Sequence, residues 1–288
     1  MSNEHYFGTH IHSGTHNIDI LIESTEKVRE VGGNLVQIFL TLPGEMKTVE
    51  QCKSNLTKYK NYLEENNLKV VIHSSYLHNM ARDWDSYSWW LKNIETEIKY
   101  AYYIGAFGLV IHLGKKLELT KEEAYNNMYS SLINIHNRTK EYHRVKILIE
   151  TSTGQGSEVC YELEELAHFY KKFSKNENKE IRDRFKICLD TCHVFSAGYN
   201  LKTKEEVKLF LETFEELIGI KNIELVHLND CKVDVGSKKD RHDNIGKGFI
   251  GFNSLSLFFN YFKKLGIPII LETPGGGYKT EIPLMLNK

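Results

Sequence analysis

The chain has 288 residues, of which 41% are hydrophobic and 26% are charged, a composition typical of a globular protein with a full apolar core. No apolar run approaches the ~18 residues that a membrane helix needs, and the polar start MSNEHYFGTHIHSG has no secretory apolar region. We therefore expect an intracellular protein, whether in cytoplasm, nucleus or virus particle. The formal net charge of −1 excludes a uniformly basic nucleic-acid-binding domain, so binding of a polyanion would depend on local positive charge.

Eight short apolar runs predict β-strands, and stretches with apolar residues at helical spacing lie between them. The predicted strands are residues 5–12, 34–40, 69–74, 108–114, 146–151, 185–190, 223–229 and 268–273. The predicted helices are residues 49–65, 88–104, 122–135, 159–173, 205–218 and 253–265. Because parallel strands need long crossover connections, this alternation predicts an α/β fold, a single (β/α)₈ TIM barrel that spans residues 1–288 as one domain.

A histidine or a carboxylate closes six consecutive strands of this predicted barrel. These residues are His73, His112, Glu150, Asp190, His227 and Glu272. Any one of them alone can simply mark the end of a strand. Six in succession would converge on the rim where barrel enzymes build their active sites. Imidazoles and carboxylates crowded there would repel and desolvate one another, and bound cations would remove that conflict.

Three further residues extend this set. His193 lies three positions after Asp190, and Asp240 and His242 are two positions apart on the long loop after the seventh strand. Histidine and carboxylate ligands without cysteine favour Zn²⁺, with Mn²⁺ or Fe²⁺ as alternatives. Nine ligands are too many for one tetrahedral ion, and three ions that share bridging groups account for the number.

Seven motifs resemble the endonuclease IV family of apurinic/apyrimidinic (AP) endonucleases, in the order that the family has them. They are IHSSYLHN (72–79), LVIHLG (109–114), ILIET (147–151), CLDTCHVFSAGY (188–199), VHLNDCK (226–232), DRHDNIGKGFIG (240–251) and IILETPG (269–275), and GTHIHSG (8–14) fits the family's first strand. The resemblance implies a barrel of the xylose-isomerase-like type. It also implies a DNA repair enzyme of base excision repair that hydrolyses the phosphodiester 5′ to an abasic site and leaves a 3′-hydroxyl and a 5′-deoxyribose phosphate.

Carried over residue by residue, the resemblance implies three zinc ions per chain. His73 and His112 would hold the first ion, and Glu150 would bridge it to a second. Asp190, His227 and Glu272 would complete the second site. The third ion would be held by His193, Asp240 and His242. Glu150 and Glu272 are the expected catalytic residues, the first by joining two ions and the second by orienting the attacking hydroxide.

The expected partner is double-stranded DNA that contains an abasic site, bound by a monomer. Tyr76 matches the family's aromatic residue that meets DNA near the lesion, and Lys238, Lys239 and Arg241 are expected to contact phosphates without reading sequence. After the second strand the family usually has a polar loop with Arg and Gln, whereas this chain has FLTLPGEMKT at 39–48.

Three other interpretations of the same residues stay open at this point. A sugar isomerase or epimerase of the xylose-isomerase-like class would use Glu150, Asp190, His227 and Glu272 with one or two ions, but gives no role to the other five. An amidohydrolase barrel is suggested by the pair His10 and His12, which we instead expect to be structural or to lie behind the ligands. A DNA-binding module without catalysis would need no such ligand set.

Overall fold

The computed structural model describes residues 5–11, 18–39 and 49–287, and a closed barrel of parallel strands lies at its centre. The barrel strands are Phe7–Ile11 (β1), Leu35–Phe39 (β2), Lys69–His73 (β3), Gly108–Ile111 (β4), Lys146–Glu150 (β5), Phe185–Asp190 (β6), Ile223–His227 (β7) and Ile269–Leu271 (β10). Two short strands, Asp230–Cys231 (β8) and His242–Asp243 (β9), pair antiparallel outside the barrel. The barrel closes because β1 pairs with both β2 and β10. The predicted (β/α)₈ barrel is confirmed.

Helices follow the strands and cover the outside of the barrel. They are Ile18–Glu30 (α1), Val49–Glu65 (α2), Trp89–Ile104 (α3), Lys121–Arg138 (α4), Leu163–Ser174 (α5), Lys179–Arg184 (α6), Thr191–Ala197 (α7), Lys204–Leu217 (α8), Phe252–Leu265 (α9) and Tyr278–Leu286 (α10). Short 3₁₀ turns occur at Lys140–Tyr142, Ile220–Asn222 and Pro274–Gly276. Among the described residues, no helix is both long and apolar enough to cross a membrane.

Local sequence signals explain where several helices begin and end. The side chains of Thr120 and Thr203 each accept a hydrogen bond from the backbone amide three residues later. The glutamate at that later position accepts a hydrogen bond from the threonine amide, so α4 and α8 begin with capping boxes. Gly266 ends α9 at a φ of 70°, a left-handed conformation that costs a glycine little. These signals fix the helix lengths and hence the places where the strands begin.

The apolar core has two layers, one inside the barrel and one between the strands and the helices. The inner layer consists of Leu35, Val71, Val110, Leu148, Cys188, Leu225 and Ile270. The outer layer takes the alternate strand residues together with the inner faces of the helices. Each fully buried aliphatic or aromatic side chain contributes roughly 1.5–3 kcal/mol. Because side chains fill the barrel interior, a ligand has to bind at one of its ends.

Some helices are absent from the sequence-based expectation, namely α1, α6, α7 and α10. In α1 the buried residues Ile18, Leu21, Thr25 and Val28 do have helical spacing, so its signal was present. The helix α7 has only seven residues and begins immediately after β6, where the carboxylate of Asp190 accepts a hydrogen bond from His193 N at 2.8 Å. A strand-end residue therefore also caps the next helix, which brings His193 back toward the barrel mouth.

Candidate metal centre

A cavity of about 680 Å³ opens at the carboxyl ends of the strands. His73, Glu150, Asp190 and His227 are the last residues of β3, β5, β6 and β7, and His112 and Glu272 come directly after β4 and β10. Parallel strands direct these ends to one rim, and neighbouring strands hold them level, as the pairing of Asp190 with His227 shows. The structure brings all six predicted residues, together with His193, Asp240 and His242, to this rim.

Glu150 lies at the centre of the cluster, almost completely buried. Its Oε2 atom is 3.3 Å from Nε2 of His73 and 3.3 Å from Nε2 of His112. Its Oε1 atom is 2.9 Å from Nδ1 of His227. The two carboxylate oxygens therefore face two different groups of histidines, which is the arrangement that a bridging ligand needs.

A second group surrounds the inner side of Glu150. The Nδ1 atom of His227 lies 3.2 Å from Glu272 Oε2 and 3.8 Å from Asp190 Oδ2. One donor atom from each of Glu150, Asp190, His227 and Glu272 lies within 4.8 Å of the other three, a set that can hold one metal ion.

The third group joins α7 to the hairpin strand β9. The carboxylate oxygen Oδ1 of Asp240 is 3.4 Å from Nε2 of His193 and 3.1 Å from Nε2 of His242. Asp190 adds its Oδ2 atom at 3.6 Å from His242 Nε2. Asp240 is the most exposed of the nine, with 47% of its side-chain surface accessible, so this group faces the open side of the cavity.

Backbone carbonyls determine which ring nitrogen three of the histidines present to the cluster. Nδ1 of His73 is 2.7 Å from Ser74 O, Nδ1 of His193 is 2.7 Å from Thr151 O, and Nδ1 of His242 is 3.3 Å from Glu272 O. A carbonyl oxygen can only accept, so each Nδ1 carries a proton and donates it. Each Nε2 lone pair is left free to bind a metal, and each Nε2 faces the carboxylates.

The electrostatics of the cluster favour bound positive charge. Burial opposes ionisation of Glu150, but His112 and His227 outweigh it and hold the pKa of this carboxyl well below its usual range. Burial likewise opposes protonation of His242, but Asp190 and Asp240 raise the pKa of His242 to about 9. Such shifts show that the carboxylates attract any cation that can reach them.

Three buried atoms of the cluster have no hydrogen-bond partner, namely Oε2 of Glu150, Nε2 of His193 and Nε2 of His242. Unpaired buried polar atoms are costly, and a metal ion coordinated by them would satisfy all three. Imidazole nitrogens with carboxylate oxygens form a donor set that suits Zn²⁺ and also Mn²⁺ or Fe²⁺. The residues present therefore fit divalent metal ions.

A thiol also lies close to the cluster, but its chemistry argues against a ligand role. The Sγ atom of Cys188 is within 4.8 Å of donor atoms of Glu150 and His227. Burial inside the barrel raises the pKa of the Cys188 thiol to about 12. At neutral pH the Cys188 thiol therefore stays protonated. Because the thiolate is the form that binds metals, Cys188 is not expected to be a ligand.

The residues predicted to contact DNA divide into two pairs. Tyr76 and Arg241 line the cavity, and the Tyr76 ring lies 5.8 Å from that of His73. Lys238 and Lys239 are exposed and come just before Arg241 on the same loop. The Lys238 ammonium lies 4.5 Å from the centre of the Tyr161 ring. Residues 40–48 of the segment FLTLPGEMKT, where this chain departs from the family's polar loop, and the residue His12 lie outside the described residues.

Several side chains that support the cluster were not predicted. Asn229 donates to Asp190 Oδ2 at 2.7 Å and accepts from Glu272 N at 2.7 Å, which ties two strand ends together. Its neighbour Asp230 is completely buried and accepts hydrogen bonds from loop amides. Both come within three residues of the end of β7, so their position beside an apolar run was an available signal. Gln37, which hydrogen-bonds to His227 and Glu272, gave no such signal, whereas His10, expected to be structural or to lie behind the ligands, is buried beside it.

Comparison with known proteins identifies relatives of this chain. A family model described as a xylose isomerase-like TIM barrel matches residues 25–287. A Mycoplasma mobile protein named "Probable endonuclease 4" is 36% identical over 261 residues, which cover 88% of each chain. A protein of the same name from Petrotoga mobilis is 34% identical over 251 residues, which cover 85% of this chain and 84% of the relative.

The solved structure of endonuclease IV from Thermus thermophilus matches with a TM-score of 0.78 and covers 99% of both chains. At 23% identity this likeness concerns the fold alone. The family model includes the ends of the seven barrel strands from β2 to β10 and every one of the nine clustered residues. Because its relatives named "Probable endonuclease 4" are 36% and 34% identical over most of both chains, the chain belongs to the endonuclease IV family.

Proposed function

We propose that this protein is a zinc-dependent AP endonuclease of base excision repair. It would hydrolyse the DNA phosphodiester 5′ to an abasic site, leaving a 3′-hydroxyl and a 5′-deoxyribose phosphate. The observation that carries the proposal is the cluster of nine histidine and carboxylate side chains in three adjoining groups, with Glu150 facing two of them. The protein would act as a monomer, with residues 1–288 forming one domain.

Three zinc ions would be held by these groups. His73, His112 and Glu150 would hold the first ion, and Glu150, Asp190, His227 and Glu272 the second. His193, Asp240 and His242 would hold the third. When bound, zinc supplies a Lewis acid that lowers the pKa of coordinated water to about 7 and offsets the negative charge of a phosphate.

Glu272 is the residue best placed to orient the attacking water. Its Oε1 atom accepts a hydrogen bond from Gln37 Nε2 at 2.6 Å, and its Oε2 atom faces His227. Glu272 also lines the cavity, whereas Asp190 is completely buried. A carboxylate fixed at one oxygen and accessible at its other side can hold a proton of water in a defined direction.

The cavity rim offers groups that suit a damaged DNA strand. Lys115, Lys232 and Arg241 line the cavity and can contact phosphates on either side of the scissile bond. Tyr76 is 67% exposed and lies beside His73, where its ring can pack against a sugar that lacks its base. An abasic nucleotide has no base to unstack, so turning it into the cavity costs less than flipping an intact nucleotide, by up to a few kcal/mol.

A sugar isomerase or epimerase is the alternative that uses the same barrel. It would need Glu150, Asp190, His227 and Glu272, but it gives no reason for His193, Asp240 and His242 to converge with their Nε2 atoms and carboxylate facing one another. The third group therefore favours phosphodiester hydrolysis.

The test uses a 5′-labelled duplex with one tetrahydrofuran residue, an abasic analogue that cannot undergo β-elimination. Zinc-loaded protein should cut it immediately 5′ to the analogue and leave a 3′ end that a DNA polymerase extends. An undamaged duplex and chelator-treated protein are the controls, and common ketoses test the alternative. Conversion of a ketose without cutting of the lesion duplex would overturn the proposal.

A further inference from the structure

The side chain of Gln37 makes three contacts at the base of the metal cluster. Gln37 lies in β2, is completely buried, and sits beside His10 in the pairing of β1 with β2. Its Oε1 atom is 2.7 Å from Nε2 of His227, and its Nε2 atom is 2.6 Å from Oε1 of Glu272 and 2.9 Å from Nδ1 of His10. One carboxamide therefore connects two predicted metal ligands that come from β7 and from the end of β10.

The partners of this amide determine its orientation. The carboxylate of Glu272 can only accept, so the NH₂ group of Gln37 must face it. The carbonyl oxygen of Gln37 must then face His227, and because this oxygen can only accept, Nε2 of His227 must carry a proton. In a neutral imidazole the lone pair is consequently on Nδ1.

This assignment makes His227 different from the other histidines with defined partners. His73, His193 and His242 donate from Nδ1 to backbone carbonyls and present Nε2. His227 presents Nδ1, which lies 2.9 Å from Glu150 Oε1 and 3.2 Å from Glu272 Oε2. A lone pair directed at two carboxylates is repulsive unless a proton or a metal cation lies between them.

We propose that Gln37 is a positioning residue for the second metal ion: it sets Nδ1 as the ligand atom of His227 and at the same time fixes the carboxylate of Glu272. The inference rests on the metal centre of the proposed function, but not on the DNA reaction. Groups that orient metal-binding histidines usually change metal affinity or activity by about 10–100-fold when they are replaced. The same range is expected for the loss of the Gln37 amide.

Gln37→Met tests the proposal, because methionine is close to glutamine in length and volume but makes none of these three hydrogen bonds. Asn34→Leu is the matched control. Asn34 also has a carboxamide side chain and lies just before β2, at the end of the barrel opposite the cluster. This side chain accepts a hydrogen bond from Phe7 N at 2.8 Å and donates one to His5 O at 3.0 Å. Its loss should lower the stability of the barrel without reaching the cluster.

Zinc-loaded wild type and both variants are dialysed against buffers of fixed free zinc, and the zinc bound per chain is measured. Gln37→Met should release one ion per chain at free zinc about 10–100-fold higher than wild type does, whereas Asn34→Leu should release it at the wild-type concentration. Equal retention by Gln37→Met and wild type would overturn the proposal. Because this readout involves no DNA, it stands even if the protein fails to cut an abasic duplex.

A second measurement needs no variant, so it holds even if Gln37→Met does not fold. Wild-type protein labelled with ¹⁵N-histidine and loaded with ¹¹³Cd²⁺ shows, through cadmium–nitrogen coupling, which ring nitrogen binds the metal. Among the 13 histidines of the chain, one metal-coupled ring should bind through Nδ1 and carry a proton on Nε2, and the other coupled rings should bind through Nε2. Coupling through Nε2 in every bound histidine would contradict the proposal.

Discussion

Glu150 has more partners in the cluster than any single metal site requires. Four of the described histidines lie within 3.5 Å of its two oxygens, namely His73, His112, His193 and His227. Since its Oε2 has no hydrogen-bond donor, a cation is the partner that would satisfy this oxygen. The residue is therefore the point at which a change of one charge should have the largest effect.

Glu150→Gln should leave a folded protein, because glutamine has the same shape, and should reduce incision by several orders of magnitude. The measurement is single-turnover cutting of a lesion duplex, with circular dichroism to verify the fold and metal analysis to count bound ions. Incision close to the wild-type rate would rule out a bridging role for Glu150.

Glu272→Gln should separate catalysis from binding. Its Oε1 can still accept from Gln37, so the side chain stays in place, but a neutral amide no longer holds a proton of the attacking water. Turnover should be lost while affinity for lesion DNA stays within a few-fold of wild type, measured by a binding titration at a zinc concentration that saturates both proteins. Loss of affinity in parallel with turnover would assign Glu272 to binding instead.

At the scale of elements, two buried carboxylates hold the segment between β9 and α9 against the barrel. Asp230 accepts from the amides of Gly246, Ile250 and Gly251, and Glu281 of α10 accepts from the amide of Ile245 at 2.8 Å. Gly248 passes so close that a Cβ atom there would lie 2.6 Å from Asp230 Oδ1. This segment follows Asp240 and His242, so its anchoring also fixes the third group.

Asp230→Asn should remove the third of the proposed zinc ions while the first two stay bound. The asparagine NH₂ group would face backbone amides that are themselves donors, and a buried unpaired donor costs about 1–3 kcal/mol. Metal analysis should give one ion fewer per chain, and thermal unfolding should show the loss of stability. Asp234→Asn is the control, because Asp234 is exposed on the same loop and its carboxylate pairs with Lys202, at 2.7 Å. Unchanged metal content in Asp230→Asn would show that the segment holds its position without the carboxylate.

A second anchor joins α4, α6 and the start of β5 at the other end of the barrel. Arg184 is buried and donates to the carbonyls of His136, Thr139 and Val145 and to Nδ1 of His136. Burial, together with the charge of Arg184, lowers the pKa of His136 to about 4, below its ordinary value of 6.5. Folding therefore favours the neutral form of His136.

The sign of the resulting pH dependence follows from this lowered pKa. The free energy of unfolding contains the full contribution of neutral His136 above pH 6.5. This contribution is lost as the pH falls from 6.5 to about 4, and the total loss is roughly 3 kcal/mol. His136→Gln keeps an acceptor for Arg184 but does not titrate, so its stability should fall less over this interval. Urea unfolding of both proteins at a series of pH values measures the difference, and parallel pH profiles would contradict the prediction.

The strands and the clustered residues were predictable because each signal is local. An apolar run followed by His, Asp or Glu can be read from a few neighbouring positions, as at His73 and Glu150, and the barrel then brings those positions together. Supports that come from a distant strand were not predictable in this way. Gln37 lies 190 residues from His227, and nothing around it in the sequence indicates that its amide fixes a ring nitrogen. Contacts of this kind depend on the barrel register, which only the structure provides.

At the scale of the whole molecule, a protein with a net charge of −1 must concentrate its positive charge at the cavity to attract DNA. The rim contributes Lys115, Lys232 and Arg241, and the loop with Lys238 and Lys239 extends this basic edge. Lys238 is held in place, since its ammonium lies 3.2 Å from the Tyr161 hydroxyl and its amide donates to Ser196 O at 2.9 Å. A phosphate contact by this lysine would cost little conformational entropy.

Replacing Lys238 and Lys239 together by alanine should make the binding of lesion DNA less sensitive to salt. Each lost phosphate contact reduces the slope of log affinity against log salt by about 0.9, so the slope should become shallower by about 1 to 2. Binding is measured from low to moderate salt with an incision-deficient protein. Lys263 and Lys264 provide the control pair, because they lie in the last turn of α9, at the end of the barrel opposite the cavity. A slope that changes equally in both double variants, or in neither, would remove Lys238 and Lys239 from the DNA-binding surface.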